Sequence, residues 1–349
     1  MSDTWLRRAG VLALSGIALT RTAAADPGFE RSFERLLADG QPPAEFDLGL
    51  RVPEAAEIRS EDVAAAAAAE AEPVKLQEPK KLWIGAISAL TIIGSAANSF
   101  LDSDGQKWHF HNEGFFGQNT YVGGGDKASH FVSYYTVARL LTPVYEALDA
   151  PPATAYLLAA GVSAAAGFIT EVGDGRTHYG FAPEDLILDT LGAATSLALS
   201  HYGLNDLVGF RSGLVPAPPT PAGNPYGGYG NDYSEQIYTG DLKISGLAPR
   251  LHFNPGPARF LYLSLTYGVK GYPYGAPDTR ERQIGIEIGL HLTEIMRAAG
   301  VPENRWWSKP IYVLLDLIRF PYTSIGYYFD LNHNKWRGPS IGDSYPGGQ

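Results

Sequence analysis

Apolar positions along this chain follow two regimes. Between residues 82 and 201 they come in long runs with few charges, whereas beyond residue 235 they alternate with polar ones at a period of two. From Leu82 to Phe100 there are 19 residues without a formal charge, preceded by Lys80 and Lys81, which predicts a helix long enough to cross a bilayer. Further helices are expected at about Ala128–Leu148, Ala153–Glu171 and Pro183–His201. Pro183 suits the first position of a helix, where its missing N–H costs nothing, and Glu184 and Asp185 suit the positive helix end. The tight connection Asp149-Ala150-Pro151-Pro152 makes the second and third helices antiparallel neighbours. Small residues crowd the third helix, from Gly161 and Ser163 to Ala166 and Gly167, and let helix backbones approach as they do in membrane bundles; a buried helix of a soluble bundle reads the same way.

After His201 the composition changes. Residues 211–232 hold a Pro-rich run and then Asn-Pro-Tyr-Gly-Gly-Tyr-Gly-Asn, the turn chemistry of a linker. Strands are expected at Gln236–Ile244, Phe260–Val269 and Gln283–Leu292, then a short helix at Pro310–Arg319 and a last strand at Thr323–Leu331. In the third strand Ile284, Ile286, Ile288, Leu290 and Leu292 alternate with Gly285, Glu287, Gly289 and His291. One face is apolar and the other polar, with Glu287 and His291 expected in solvent. A transmembrane barrel needs at least about eight strands, more than are visible, so the strands are expected to form a sheet covering the helices. Its tyrosines (Tyr262, Tyr267, Tyr272, Tyr274, Tyr327, Tyr328) then lie at a lipid or partner boundary or in ordinary half-buried packing. The expected fold class is α+β, a bundle of about four apolar helices followed by a small antiparallel β module.

The N-terminus changes the setting. Arg7-Arg8, the apolar stretch Ala9–Leu19 and Ala23-Ala24-Ala25 read as an export signal over residues 1–25. Residues 26–80 are acidic and Ala- and Pro-rich, a weakly ordered leader. The expected organisation is then a bundle over 81–210, a linker over 211–235 and a β module over 236–349. A net charge of −10 argues against nucleic acid as a partner. With no cysteine, a disulfide framework, a thiolate metal site and a cysteine nucleophile are all excluded, and so is a lipid anchor built on a cysteine thiol. The chain is expected in the cell envelope, exported, periplasmic or membrane-associated but not a lipoprotein, with membrane or envelope lipid as partner and a protein partner admissible through residues 236–349.

Charged side chains in apolar helices are costly unless paired or coordinated. Here they concentrate in Gly123-Gly-Gly-Asp126-Lys127-Ala-Ser-His130, Glu171-Val-Gly-Asp174-Gly175 and Asp185-Leu-Ile-Leu-Asp189. Asp126 and His130, like Asp185 and Asp189, are four apart and share a helix face. In an antiparallel bundle the start of helix two, the end of helix three and the start of helix four lie at one end, so the three clusters converge. Carboxylates with one imidazole suit a hard divalent cation or an acid and base pair. The candidate metal ligands are Asp126, His130, Glu171, Asp174 and Asp189, and the candidate catalytic groups Asp126, His130, Glu171 and Asp185. Lys127 would hold an anion or neutralise a carboxylate. The competing reading is a scaffold in which Lys127 or His130 pairs with Glu171 or Asp189. His109, His111 and Glu113 form a weaker metal pattern better read as a solvated loop, and His178 belongs to the site or to its loop. No Gly-x-Ser-x-Gly elbow, His-Glu-x-x-His helix or dinucleotide fingerprint is present.

The ordered set Gly125-Asp126-Lys127-x-x-His130, Glu171-x-x-Asp174-Gly175 and Gly180-Phe181-x-x-x-Asp185-x-x-x-Asp189-x-x-Gly192 resembles the YfiM-type family of predicted bacterial periplasmic lipoproteins of unknown function, over roughly residues 90–205. More distantly it is similar to VanZ-like membrane proteins, some linked with glycopeptide resistance, where the last Asp is usually Asn, so Asp189 departs from that pattern. The resemblance implies no reaction. Three functions are compatible with the chain: an envelope protein whose end-site binds a cation or an anionic headgroup, a metal-assisted or acid/base hydrolase of lipid-linked or cell-wall substrates, and an interaction protein docking through its β module.

Overall fold

The computed structural model describes residues 78–101, 105–214, 233, 236–272, 279–305 and 307–341; the expected signal, the leader up to residue 77, most of the linker and Tyr274 lie outside the described residues, and residues 78–80, expected in the leader, open the first helix. Four helices form the first half: α1 at Glu78–Leu101, α2 at Gly125–Ala147 entered through a 3-10 turn at Tyr121–Gly124, α3 at Pro152–Asp174 and α4 at Pro183–His201. Helix α2 begins three residues earlier than expected, which brings Asp126 and Lys127 into its first turn, and α3 runs three residues further, to Asp174. Helix α4 has the expected bounds because Pro183 fixes its start. Among the described residues α3, rather than α1, is the helix long and apolar enough to cross a membrane by length and composition.

The bundle packs α2 against α3 and α4, α3 against α4, and α1 against α3. Its apolar core joins Ile84, Leu141, Tyr145, Ala155 and Ala159. Two glycines set the spacing of the helices: a Cβ on Gly192 would stand 2.2 Å from the Phe131 carbonyl oxygen of α2, and one on Gly167 would stand 2.6 Å from Asp189 Oδ2 of α4. The small-residue stripe of α3 is thus a working contact at Gly167, whereas Gly161 faces open space.

The second half is a six-stranded antiparallel meander in sequence order: β1 at Val208–Leu214, β2 at Gln236–Lys243, β3 at Leu261–Lys270, β4 at Glu281–Leu290, β5 at Ser324–Asp330 and β6 at Lys335–Ile341. Helix α5 at Ile244–Arg250 follows β2, α6 at Leu292–Ala298 follows β4, and α7 at Ser308–Leu317 precedes β5. Strands β1 and β6 were not expected; β1 occupies residues that composition divides between bundle and linker, so the sheet starts before the Pro-rich segment. Beyond the last turn of α7 the chain runs alongside β1, with Arg319 N–H donating to Ser212 O at 2.9 Å and a parallel bridge between Ser212 and Ile318.

The faces of this sheet are the reverse of the expectation. On β4, Gln283, Gly285, Glu287 and Gly289 are buried while Ile284, Ile286, Ile288 and Leu290 are exposed. Glu287 and His291, expected in solvent, are each 1% exposed, whereas Ile286 is 55% exposed. The physical cause is pairing across strands. Arg319 is bidentate on Glu287 at 2.9 and 3.1 Å, with the Tyr328 hydroxyl donating to the same carboxylate. Arg211 is bidentate on Asp241 at 2.5 and 2.9 Å, Ser264 donates to Asp241 at 2.6 Å, and the Arg211 guanidinium lies 4.3 Å from the Tyr262 ring centroid. Lys243 donates to Asp316 at 2.7 Å. A charge matched by a fixed partner can be buried where a lone one cannot. The apolar face is covered only in part: Phe210 and Tyr267 pack with Tyr238 on Ala128, Phe131 and Val132 of α2. Of the tyrosines expected at a boundary, Tyr262, Tyr272 and Tyr328 are buried and Tyr327 is exposed.

Candidate functional site

Three helix ends bring the polar clusters together. The first turn of α2 supplies Asp126, Lys127 and, one turn on, His130; the last turn of α3 supplies Glu171; the first two turns of α4 supply Asp185 and Asp189. Lys127 Nζ, fully buried, lies 2.9 Å from Asp126 Oδ2 and 2.7 Å from Asp185 Oδ1, and donates to Glu113. His130 Nδ1 is 2.8 Å from Asp189 Oδ1 and 4.0 Å from Glu171 Oε1. Its other nitrogen, Nε2, faces Asp126 Oδ1 at 3.6 Å and Asp185 Oδ1 at 3.9 Å. Glu171 also accepts the Ala182 N–H at 3.1 Å, which ties the end of α3 to the start of α4.

Two residues here were not found by sequence reasoning. Glu113 sits in the loop read as solvated, yet it is buried against Lys127 while His111 beside it is exposed. Its signal was only its nearness to two histidines. Tyr233, inside the expected linker, donates its hydroxyl to Asp126 Oδ1, and no periodicity could have marked it. Conversely Asp174 bonds Ser99 and stays out of the groups whose ligand atoms converge, and His178 is an exposed loop residue whose ring lies 3.9 Å from that of Tyr179, tilted by 38°.

Five buried carboxylates, Glu113, Asp126, Glu171, Asp185 and Asp189, therefore face one lysine and one histidine. Burial drives Glu171 up to about 9, eased by His130 and reinforced by Asp185. Burial likewise drives Asp185 up to about 8, eased by His130 and reinforced by Asp126. Asp126 goes the other way: His130, Lys127 and the Tyr233 hydroxyl outweigh its burial and hold it at about 2. Lys127 and His130 are both raised, because the carboxylates around them outweigh their burial. Asp189 Oδ2, lying against Gly167, is buried without a hydrogen-bond partner. Of the seven groups His130 is the most exposed, its side chain 19% open.

Ligand atoms of Asp126, His130 and Asp185 lie within 4.8 Å of one another, and so do those of His130, Glu171 and Asp189. Either set has the size and donor chemistry of a divalent cation site. A third group of this kind, Glu281, Asp330 and His333, lies at the end of the sheet, where His333 Nδ1 is 2.6 Å from Asp330 Oδ2.

The fold and site describe an α+β protein whose bundle carries a buried, acid-rich end. Residues 112–201, which contain all seven groups, match the model of a family described as predicted periplasmic lipoprotein (DUF2279). The match supports a predicted periplasmic protein of a family of unknown function. It also corrects the exclusion of a lipoprotein: the family bears that description, and the lack of cysteine bears on where a thioether could form within these 349 residues, not on the class of protein they resemble. No curated protein and no solved structure matches the chain.

Proposed function

We propose that this is an envelope protein that binds one hard divalent cation at the acid-rich end of its helical bundle. His130 Nε2, Asp126 and Asp185 would hold the ion, with Asp189 accepting the His130 Nδ1–H and so fixing the tautomer and the ring, the usual support of a ligating imidazole. The observation that carries the reading is the surplus of acid: five buried carboxylates meet two cationic side chains, so the cluster does not neutralise itself. An uncompensated buried charge is expensive, and a divalent cation or bound protons must balance it. The motif that resembles the YfiM-type family falls on the same residues, and export through the N-terminal signal would deliver the site to the periplasm.

Calorimetric titration of the full chain with Mg2+, Ca2+, Mn2+ and Zn2+, with elemental analysis before and after chelation, tests this. One chelator-reversible equivalent, abolished in Asp126→Asn, is expected. A folded protein that binds none of the four would leave the ion-paired scaffold as the correct reading.

A further inference from the structure

We propose that the uncovered apolar face of strands β3–β5 lies against the acyl chains of a lipid bilayer. The inference is independent of the cation site. By register, Leu265, Ile286 and Tyr327 form one row across the three strands, and Leu263, Ile288 and Ile325 form the next. Leu265 is 68% exposed, Ile286, Ile288, Ile325 and Tyr327 are about half exposed, and Leu263 is half-buried. No charged residue interrupts these rows. The opposite face of the same strands holds Ser264, Thr266, Glu287 and Tyr328, all buried.

A half-exposed antiparallel sheet in water turns its polar face out. Here the charges are drawn inward into matched pairs and the aliphatic side chains are turned out, the arrangement of strands bathed in hydrocarbon. Scattered surface leucines need no explanation, but a contiguous apolar field marks a contact. Lipid fits this field better than protein does. A protein interface carries about one hydrogen bond per 100–200 Å² and a polar rim, whereas the Tyr327 hydroxyl is the only side-chain polar group in these two rows. Large apolar side chains are also exposed on the helices, at Leu90 and Ile93 of α1 and at Leu157 and Phe168 of α3.

The absence of cysteine makes the test clean. Single variants Leu265→Cys, Ile286→Cys and Tyr327→Cys, with Glu303→Cys as an aqueous control, are labelled with a fluorophore in the full chain. The labelled chains are then mixed with phosphatidylethanolamine–phosphatidylglycerol vesicles. Labels at the three sheet positions are expected to be quenched several-fold more by brominated acyl chains than the control, and to be protected from iodide. Quenching by iodide without quenching by brominated lipid overturns the proposal, as does protection that arises only through cross-linking between copies of the chain. Flotation of the unsubstituted protein with the same vesicles supplies a readout that no variant's folding can disturb; failure to float also overturns it.

Discussion

The sheet and the bundle both bury charge, but they balance it differently. Inside the sheet the buried acids Asp241 and Glu287 each have their own guanidinium, Arg211 and Arg319, and buried Lys243 has Asp316. At the end of the bundle five acids share Lys127 and His130. Matched, bidentate pairs fix a shape and leave nothing for a ligand to add. An unmatched cluster must be balanced by bound protons or by a cation, and exchanges one for the other. The comparison separates scaffold from site more sharply than burial does, since Glu287 and Glu171 are equally buried.

The largest expected effect comes from unbalancing the sheet. Glu287→Ala strands the Arg319 guanidinium and the Tyr328 hydroxyl in the interior and should cost about 3–5 kcal/mol, read by chemical denaturation with no dependence on divalent cations. In the bundle, Asp189→Ala removes the acceptor that orients His130 and should weaken cation affinity by about 10–100-fold while leaving the fold in place. A loss of stability equal to that of Glu287→Ala, with cation binding unchanged, would erase the distinction between the two regions.

pH sharpens the contrast further. A carboxyl whose pKa is raised in the fold holds a proton that the unfolded chain has released, so stability falls as pH climbs from its ordinary value toward the folded one. For Glu171 that window runs from 4.5 to about 9, and for Asp185 from 3.8 to about 8. Asp126 acts oppositely and only on the acid side, where stability is lost as pH drops from 3.8 toward about 2. The cation-free protein should therefore melt at lower temperature at pH 9 than at pH 5, and a saturating divalent cation should flatten the slope; thermal scans across that range check both. The smallest effect is steric. Gly167→Ala presses on Asp189 and should cost about 1 kcal/mol, whereas Gly161→Ala, in the helix interior and facing open space, should stabilise by about 0.5–1 kcal/mol.

Much of this was legible in the sequence where local chemistry decides it. Pro183 and the acids after it fixed α4, the run Asp149–Pro152 fixed the hairpin of α2 and α3, and the four-residue spacings placed Asp126 with His130 and Asp185 with Asp189. What failed was non-local. Alternation in β4 reveals two faces but not which one points inward, because the partners that make Glu287 and Asp241 buriable stand in other segments, Arg319 and Arg211. Strand β1 carries no clean alternation and becomes a strand through its pairing with Gln236–Leu242, beyond the Pro-rich segment. Glu113 and Tyr233 joined the site from loops, where no period constrains a side chain's direction.

The segment that follows α7 has a further role in how the molecule keeps to itself. A bare outer strand is a template on which another chain can add its own, the route to strand exchange and fibrous assembly. Ser212 in β1 is already engaged by Ile318 and Arg319, and Arg319 is pinned in turn by Glu287. To recruit a foreign strand at that position, β1 would first have to shed a residue whose release breaks a buried ion pair. The pair that organises the sheet's interior thereby also anchors the segment that covers β1 at Ser212.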